Sequence, residues 1–374
     1  MKTYRFKLYA HKRNRKIIKN IELSGKVYNH LIALHKKYYG LFKKYPSKYS
    51  VQKHITKLKR KPEYKHWADL NSQTLQNIAE RIDFGYQKFF KKQNKRPPTF
   101  RKICKFKSFT LKQTGYSFKE DNVVVIQSVK YKYFKSREIE GNIKTVTIKR
   151  DGVGSIFLFV TTDVEEQFEN ISATRKTAGF DFGLKTFLTG SDETEFQSPL
   201  FYKKSLSRRR VLSKELSRKR RGSSNRKRAR IALAKTDIKI VDKRRDWMFK
   251  LARELCAQYS LISLETLSLR EMISRWGRKV LDIAYAEFLK ILKYVAVRFR
   301  TVIVFIDKWF PSTKLCSECG AVNDSLSLRD RTWKCTGCGT FHNRDLNAAI
   351  NINREGASSL RKEGIRLHTE ASLV

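Results

Sequence analysis

No apolar run in the 374-residue sequence approaches the roughly 18 residues of a membrane-spanning helix. No amphipathic segment has an unpaired apolar face that would favour a lipid surface. The basic N-terminus, MKTYRFKLYAHKRNRK, lacks the apolar core of a signal peptide. Cysteine is also scarce, with six residues, of which Cys104 and Cys256 are predicted to be small buried hydrophobic residues. These absences predict a cytoplasmic, nucleoid-associated protein in a reducing compartment, with no membrane partner.

Acidic residues are few, since 35 Asp and Glu stand against 81 Lys and Arg, which gives a net charge of +46. Aromatic residues make up 12% of the chain and are mixed among the basic ones. An excess of this size needs a polyanion to neutralise it, and aromatic side chains can stack on bases. Nucleic acid is therefore the expected partner.

The positive charge is densest in residues 203–230, which carry 14 Lys and Arg and one acid, Glu215. The pattern predicts a helix that breaks at residues 222–225, followed by a second and more apolar helix. We interpret this segment as a helical hairpin whose basic tip contacts nucleic acid, although a merely solvated surface has the same composition. The candidate contact residues are Arg208, Arg209, Arg210, Arg218, Lys219, Arg220 and Arg221.

The hydrophobic pattern of the N-terminal half predicts a lobe of mixed α and β structure. Residues 3–9 alternate apolar and basic side chains as in a half-buried strand, and Ser24 can cap a following helix. After residue 98 the hydrophobic pattern changes to a period of two, which indicates further strands. We therefore expect a small β-barrel with a helical insertion: the barrel is formed by residues 1–22 and 96–165, and the insertion by residues 23–95.

The second half alternates strand and helix patterns. Residues 177–189 predict a strand, a turn and a second strand, and residues 261–265 and 301–306 predict buried strands. Residues 282–298 predict one amphipathic helix. Strands that alternate with helices indicate an α/β layer with some parallel pairing. Residues 354–374 show no sustained periodicity, so we expect a disordered tail.

Four cysteines form two Cys-x-x-Cys pairs that are 15 residues apart, and glycine follows each pair directly. This is the spacing of a zinc ribbon, in which four thiolates close a tetrahedron around one structural Zn²⁺. Two disulfides are the alternative, but a Cys-x-x-Cys disulfide is strained. The predicted zinc ligands are Cys316, Cys319, Cys335 and Cys338, in a ribbon over residues 312–340.

Three acids lie in settings that suit burial or a helix start. Asp181 and Glu265 are on apolar strands, and Asp345 is in the first turn of the helix predicted after the ribbon. One such acid alone is more often structural, because it can face a helix dipole or a buried cation. Three of them in a strongly basic chain suggest carboxylates that hold two Mg²⁺ ions against a phosphodiester. One ion would activate the attacking water, and the other would stabilise the leaving 3′ oxygen.

Three motifs carry a family resemblance: GFDFG at residues 179–183, LISLE at 261–265 and NRDLNAAINI at 343–352, with the cysteine ribbon just before the third. They resemble the split RuvC-type nuclease domain, an RNase H-like fold, of TnpB, the transposon-encoded OrfB family related to type V CRISPR effectors. The resemblance implies a nuclease domain over residues 173–311 and 341–353. It also implies catalytic, magnesium-binding roles for Asp181, Glu265 and Asp345 and zinc-binding roles for the four cysteines.

The resemblance further implies an RNA-guided DNA endonuclease encoded by a transposable element. A guide RNA from the transposon end would pair with target double-stranded DNA, and the chain, expected to be a monomer, would cut next to a short flanking motif. Two alternatives stay open. One is a binding-only zinc-ribbon protein, such as a repressor, in which the acids are structural. The other is a transposase that joins strands itself with the same three acids.

Overall fold

In the computed structural model of the chain, the described residues are 1–164, 168–169, 175–327 and 330–362. The chain divides into two compact units, Met1–Glu165 and Glu166–Val374, and each unit has its own hydrophobic core. Over the described residues, every helix is too short or too polar to cross a membrane.

The first unit combines antiparallel strands with three α-helices among its described residues. Its strands are β1 (Lys2–Leu8), β2 (Ser108–Leu111), β3 (Tyr116–Lys119), β4 (Val123–Ile126), β5 (Val129–Phe134), β6 (Asn142–Arg150) and β7 (Ile156–Asp163). Its helices are α1 (Asn14–Phe42), α2 (Lys48–Lys59) and α3 (Ser72–Phe90). The helices therefore lie between the first strand and the second, as the pattern predicted.

The seven strands form one nearly closed sheet in the order β2-β6-β7-β1-β5-β4-β3. β1 lies in the middle, antiparallel to both β7 and β5. Its alternating pattern turns Tyr4, Phe6 and Leu8 into the core, where each is at most 2% exposed. Over the described residues, the end strands β2 and β3 do not pair with each other, so the expected barrel is nearly closed rather than closed.

Helix α1 begins at Asn14, earlier than the sequence predicted. The prediction that Ser24 caps this helix is wrong, because Ser24 is fully buried inside it and its hydroxyl donates to the Asn20 carbonyl oxygen at 2.7 Å. The apolar residues Ile17 and Ile21 continue the helical spacing upstream of Ser24, and both are buried. The helical insertion therefore starts at residue 14 and not at residue 23.

The second unit contains a mixed sheet, a small hairpin and six helices among its described residues. Its strands are β8 (Lys176–Asp181), β9 (Thr186–Gly190), β10 (Glu195–Gln197), β11 (Tyr259–Glu265), β12 (Val302–Ile306), β13 (Thr332–Lys334) and β14 (Phe341–Asn343). Its helices are α4 (Phe201–Arg218), α5 (Ser224–Gln258), α6 (Leu269–Trp276), α7 (Arg278–Ile283), α8 (Tyr285–Phe299) and α9 (Arg344–Lys362).

The main sheet of the second unit has the order β10-β9-β8-β11-β12. The first three strands pair in antiparallel fashion, whereas β11 is parallel to both β8 and β12. This arrangement confirms the predicted α/β layer with some parallel pairing. Helices α4 and α5 form the predicted hairpin, and the shorter strands β13 and β14 belong to the cysteine ribbon.

Two predicted boundaries in this unit are wrong. The helix expected over residues 282–298 is interrupted at Ala284, which adopts a left-handed backbone with φ of 51° and separates α7 from α8. Alanine favours helices, so the pattern gave no sign of this break. Helix α9 continues to Lys362 and buries Leu360, so residues 354–362 are not a disordered tail. The rest of that predicted tail, residues 363–374, lies outside the described residues.

Candidate active site and metal centre

Two of the three predicted acids end neighbouring parallel strands. Asp181 is the last residue of β8, and Glu265 is the last residue of β11. Phe180 pairs with Leu264 in the parallel register, so the two acids follow side by side. Because the carboxyl ends of parallel strands meet at one edge of a sheet, both carboxylates lie at the same edge.

The third acid reaches this edge through helix α9. The backbone N–H groups of Asp345 and Leu346 donate to the Asn343 side-chain oxygen at 3.0 and 3.3 Å, so Asn343 caps the helix and fixes its first turn. α9 then packs directly on β8, where Gly179 allows the close approach. A Cβ at Gly179 would overlap the backbone of α9 at Ala349 and Asn353.

Asp181, Glu265 and Asp345 line a single cavity of about 710 Å³. The structure therefore brings together three residues that are separated by 84 and 80 positions in the sequence. Basic side chains also face the cavity, and these are Lys185, Lys308, Lys314, Arg331 and Arg344. Glu271 also lines the cavity and pairs with Lys308 at 3.4 Å. The five cations outnumber the four carboxylates, which suits an anionic substrate that must approach an acidic centre.

Two of the three acids, Asp181 and Glu265, have a raised pKa. Burial is the main cause that raises the pKa of Asp181 to about 7, and the charges of Glu265 and Asp345 add to it. Burial also raises the pKa of Glu265, although the Ser312 hydroxyl, which donates to its carboxylate at 3.3 Å, opposes that shift. Asp181 opens to the cavity but lies between the buried Phe180 and Phe182. A cation in the cavity would stabilise the ionised form of Asp181, which burial and the neighbouring carboxylates disfavour.

Asp345 is held by two arginines. Arg331 and Arg344 each place a guanidinium nitrogen 3.2 Å from its carboxylate. The side chain of Arg344 is 12% exposed and that of Arg331 is 60% exposed, so Arg344 is the more fixed partner. Arg344 is the neighbour of Asp345 in the sequence, and its contact can orient the carboxylate. Sequence reasoning missed Arg331, because 14 residues and the second cysteine pair separate it from Asp345.

The three carboxylates fit the oxygen-rich coordination that Mg²⁺ prefers. They converge on one cavity, and the charges of Glu265 and Asp345 are close enough to raise the pKa of Asp181, although the nearby charge of Arg344 opposes that shift. The residues present therefore match a divalent-cation site. They also match a phosphodiester substrate, since Lys and Arg surround the acids.

The four ribbon cysteines converge as the spacing predicted. Their Sγ atoms all lie within 4.8 Å of one another, with Cys316 and Cys338 at 3.7 Å and Cys319 and Cys335 at 3.6 Å. These distances are too long for disulfides, whose S–S bond is about 2.05 Å. They suit a tetrahedron, because a Zn–S bond of about 2.3 Å gives S–S separations near 3.8 Å. The cluster can therefore hold a zinc ion.

A histidine that the sequence analysis did not identify contacts the cysteine cluster. The His342 Nε2 atom lies 3.1 Å from the Cys316 Sγ atom, and the His342 ring packs on Trp333. His342 follows the last cysteine by four residues and has no motif of its own, so only the fold reveals the contact. An N–H group at this position can stabilise a metal-bound thiolate.

Helix α9 also ties the ribbon to the acidic cavity. Asn347 and Asn351, one helical turn apart, both donate to the Leu315 carbonyl oxygen, at 2.7 and 2.6 Å. Asn351 also donates to the carbonyl oxygen of Ser312, the residue whose hydroxyl contacts Glu265. The start of the ribbon segment, residues 312–315, is thus fixed between two of the acid-bearing elements, α9 and β11. Sequence reasoning missed both asparagines, although the motif around Asp345 contains them.

The predicted nucleic-acid contacts lie on the α4–α5 hairpin, outside the lining of the acidic cavity. Arg209 is half-buried and its Nε donates to Asp237 on α5 at 2.8 Å, so it holds the hairpin together. Lys219 is also half-buried. The other predicted residues are exposed, and these are Arg208, Arg210, Arg218, Arg220 and Arg221.

Comparison with known families gives two matches on successive segments. Residues 159–275 match the OrfB_IS605 family model, described as "Probable transposase". Residues 285–352 match the model described as "Cas12f1-like, TNB domain". The first match contains Asp181 and Glu265, and the second contains Asp345 and the four cysteines.

Curated relatives extend over most of the chain. A "Putative RNA-guided DNA endonuclease" of Streptomyces pristinaespiralis is 29% identical over 324 residues, which cover 85% of this chain and 80% of that protein. The "Putative RNA-guided DNA endonuclease InsQ" of Escherichia coli (strain K12) is 24% identical over 310 residues, which cover 78% of this chain and 76% of that protein.

A solved structure shares the fold. The chain aligns with one from the cryo-EM structure of a Cas12f1–sgRNA–target DNA complex over 92% of this chain and 83% of that chain, with a TM-score of 0.58 and 18% sequence identity. The motifs, the two family models and the curated relatives agree with one another. They therefore confirm the predicted resemblance of this chain to the TnpB (OrfB) family.

Proposed function

We propose that the protein is an RNA-guided DNA endonuclease encoded by a transposable element. The observation that carries the proposal is the convergence of Asp181, Glu265 and Asp345 on one cavity ringed by basic side chains. The relatives named as RNA-guided DNA endonucleases support the same activity. The guide RNA would come from the transposon end, and base pairing with target DNA would select the cut site next to a short flanking motif.

In the proposed site, the carboxylates of Asp181 and Glu265 at the sheet edge and of Asp345 on helix α9 would hold the metal ions. Two Mg²⁺ ions, when bound, would activate a water and stabilise the leaving 3′ oxygen. Asp181 must be ionised to act as a ligand, so its raised pKa makes cation binding compete with protonation. Ser312 orients the Glu265 carboxylate, and the Asn343 cap keeps Asp345 in position.

The basic side chains of the cavity would bind the substrate strand. Lys185, Lys308 and Lys314 line the cavity and provide positive charge for the phosphates that flank the scissile bond. A cavity of about 710 Å³ is in the range of sites for small ligands, which suits a short stretch of single strand. An RNA-guided enzyme supplies such a strand when it unwinds its target.

The ribbon has a structural role in this proposal. One zinc ion held by Cys316, Cys319, Cys335 and Cys338 would fix the segment that connects β12 to α9. That segment also contains Arg331, which contacts Asp345. We therefore assign the proposed architecture to a RuvC-type, RNase H-like nuclease domain with an inserted zinc ribbon.

Sequencing the RNA that co-purifies with the chain tests this proposal, provided the chain is expressed with its native flanking DNA. We expect one abundant RNA with a structured part and a 3′ end that extends into DNA beyond the element. A mixture of tRNA and rRNA fragments would instead support a binding-only protein, because general affinity for polyanions would then explain the charge of +46.

Strand joining is the second candidate, because the matching family model is described as a transposase. The same three carboxylates could activate a 3′ hydroxyl in place of water. A reaction that contains the chain with its RNA, target DNA and DNA with both transposon ends distinguishes the two functions. Joined ends would favour the transposase, and cut but unjoined target would favour the endonuclease.

A further inference from the structure

A turn with an exposed tryptophan follows strand β12, at the edge of the sheet where two of the acids lie. β12 is parallel to β11, and its last residue, Ile306, pairs with Glu265. β11 lies between β8 and β12, so the turn over residues 307–310 begins beside Glu265 on the side away from Asp181. Because parallel strands end at a common edge, the turn and these two acids share one edge of the sheet.

The tryptophan of this turn, Trp309, is exposed to an unusual degree. Its exposed fraction is 81%, whereas Trp67 and Trp333 are 3% and 6% exposed. Tryptophan is highly buried on average, because its large ring is stabilised when it leaves water. A ring of this size at the surface suits a partner that covers it, and nucleobases stack on such rings because every base has a flat π-face.

Hydrogen bonds fix the backbone of this turn. The Trp309 N–H donates to the Asp307 side-chain oxygen at 2.7 Å, and the Phe310 N–H donates to the Asp307 carbonyl oxygen at 3.3 Å. The Thr266 hydroxyl donates to the Ile306 carbonyl oxygen at 2.8 Å, which holds the end of β12 against the segment after β11. A turn that is already ordered loses little conformational entropy when a base stacks on its ring.

Lys308 connects the ring to the acidic cavity. Its side chain lines the cavity, and its Nζ atom lies 4.7 Å from the centroid of the Trp309 ring. The ring therefore lies at the rim of the cavity. Lys308 also pairs with Glu271 at 3.4 Å, but both side chains are exposed and such a pair is weak, so a phosphate can compete for the ammonium group. A cation beside an aromatic ring suits an unpaired nucleotide, because the cation contacts the phosphate and the ring contacts the base.

We propose that Trp309 stacks on a base of the DNA strand that enters the acidic cavity, and that Lys308 contacts a phosphate next to that base. This inference rests on the proposed function, which supplies the strand. The stacked nucleotide lies on the β12 side of the scissile phosphate, so the ring holds the strand in register over the acids. DNA is favoured over RNA as the partner, because the ring shares a sheet edge and a cavity rim with the acids that cut the substrate.

Cleavage of target DNA that contains a single abasic nucleotide tests this contact. The chain purified with its RNA is mixed with guide-matched DNA in which the abasic nucleotide is moved, one position at a time, through the positions that flank the cut. For the wild type, we expect one position or two neighbouring positions at which loss of the base slows single-turnover cleavage about fivefold to hundredfold, as the loss of one stacked base requires.

Variants of Trp309 assign that effect to its ring. Trp309→Ala should slow cleavage of intact DNA by the same factor, and the abasic nucleotide should then cause no further loss. Trp309→Phe should restore most of the rate, because a smaller aromatic ring still stacks. Tyr294→Ala is the matched control and should cut like the wild type, since Tyr294 is 57% exposed on α8, outside the lining of the acidic cavity. Additive losses from Trp309→Ala and the abasic nucleotide, or an unchanged rate for Trp309→Ala, would overturn the proposal.

Acrylamide quenching of tryptophan fluorescence tests the same contact without a cleavage step. The probes are a single-stranded DNA of about ten nucleotides and an abasic strand of the same length. The difference between the wild type and Trp309→Phe isolates the signal of Trp309 among the five tryptophans of the chain. We expect the DNA to protect Trp309 from acrylamide and the abasic strand to leave it accessible. Equal quenching with both probes would overturn the proposal, and a Trp309 that becomes accessible only after ribonuclease treatment would assign the ring to RNA and overturn the DNA assignment.

These outcomes are separate from those of the proposed function. If the wild type cuts no DNA, the endonuclease proposal fails, and the quenching experiment still decides whether Trp309 stacks on a DNA base. Conversely, equal cleavage by the wild type and Trp309→Ala would remove the stacking contact and leave the endonuclease proposal intact.

Discussion

Replacing Asp181 with Asn should stabilise the metal-free protein at high pH, although it should abolish cleavage. An unfolded Asp ionises with a pKa near 4, whereas folding raises the pKa of Asp181 to about 7. Between these values the folded chain keeps a proton that the unfolded chain has released. The free energy of unfolding of the wild type therefore falls as pH rises through this window and is lowest above pH 7. Asn carries no charge, so the variant does not incur this loss.

The size of the effect follows from the pKa difference. One pKa unit corresponds to about 1.4 kcal/mol, so the window from pH 5 to pH 7 is worth at most about 3 kcal/mol. Asp181 faces an open cavity, and solvent there reduces the value, so we expect about 1 to 3 kcal/mol. For a unit of this size, that is a gain in Tm about 2 to 12 °C larger at pH 8 than at pH 5.

Thermal unfolding at both pH values, in buffer that is free of Mg²⁺ but leaves zinc in place, measures this difference. Asp246→Asn is the matched control, because the Asp246 side chain is 65% exposed. Adding Mg²⁺ at pH 8 should raise the Tm of the wild type but not that of Asp181→Asn. An equal gain in Tm for Asp181→Asn at both pH values, or a lower Tm than the wild type at pH 8, would refute the reasoning that burial and neighbouring carboxylates raise the pKa of Asp181.

Three further predictions concern the same unit. Cleavage in Mg²⁺ should increase between pH 6 and pH 8, because ionised Asp181 is needed to hold the cation, and a pH-rate profile at low Mg²⁺ checks this. Cys335→Ser should lower zinc content and Tm together. Cys104→Ser should retain one zinc per chain by metal analysis, because Cys104 is outside the cysteine cluster and is exposed, not buried as the sequence predicted. Gly179→Ala should lower Tm and cleavage, because its Cβ would push α9 and Asp345 away from β8, while Gly152→Ala, with open space around it, should change neither.

The parts of the site that could be predicted from the sequence are those that depend on short, local patterns of residues. Asp181 and Glu265 end short apolar runs that are typical of buried strands, and parallel pairing then places both acids at one edge. The cysteine spacing predicts its cluster because four thiolates within two tight turns have few other arrangements. The α4–α5 hairpin follows from a helical pattern interrupted by a glycine and two serines.

The rest depends on contacts between residues far apart in the sequence. Arg331 pairs with Asp345 only because the ribbon folds back on the start of α9, and no spacing rule encodes that approach. Asn351 contacts the loop at Ser312 for the same reason. The break at Ala284 was unpredictable because a left-handed alanine costs free energy that only the surrounding packing repays, here by burying Tyr285.

The measurement that tests the central claim most directly is plasmid cleavage by the chain purified with its RNA, compared with Glu265→Gln purified in the same way. The plasmids contain the sequence matched by the guide beside a randomised flanking segment, and the reaction contains Mg²⁺. We predict that the wild type cuts the subset with one flanking motif, and that the variant binds the same RNA but leaves every plasmid intact. Equal cleavage by Glu265→Gln, or no Mg²⁺-dependent cleavage by the wild type with its RNA, would contradict the account.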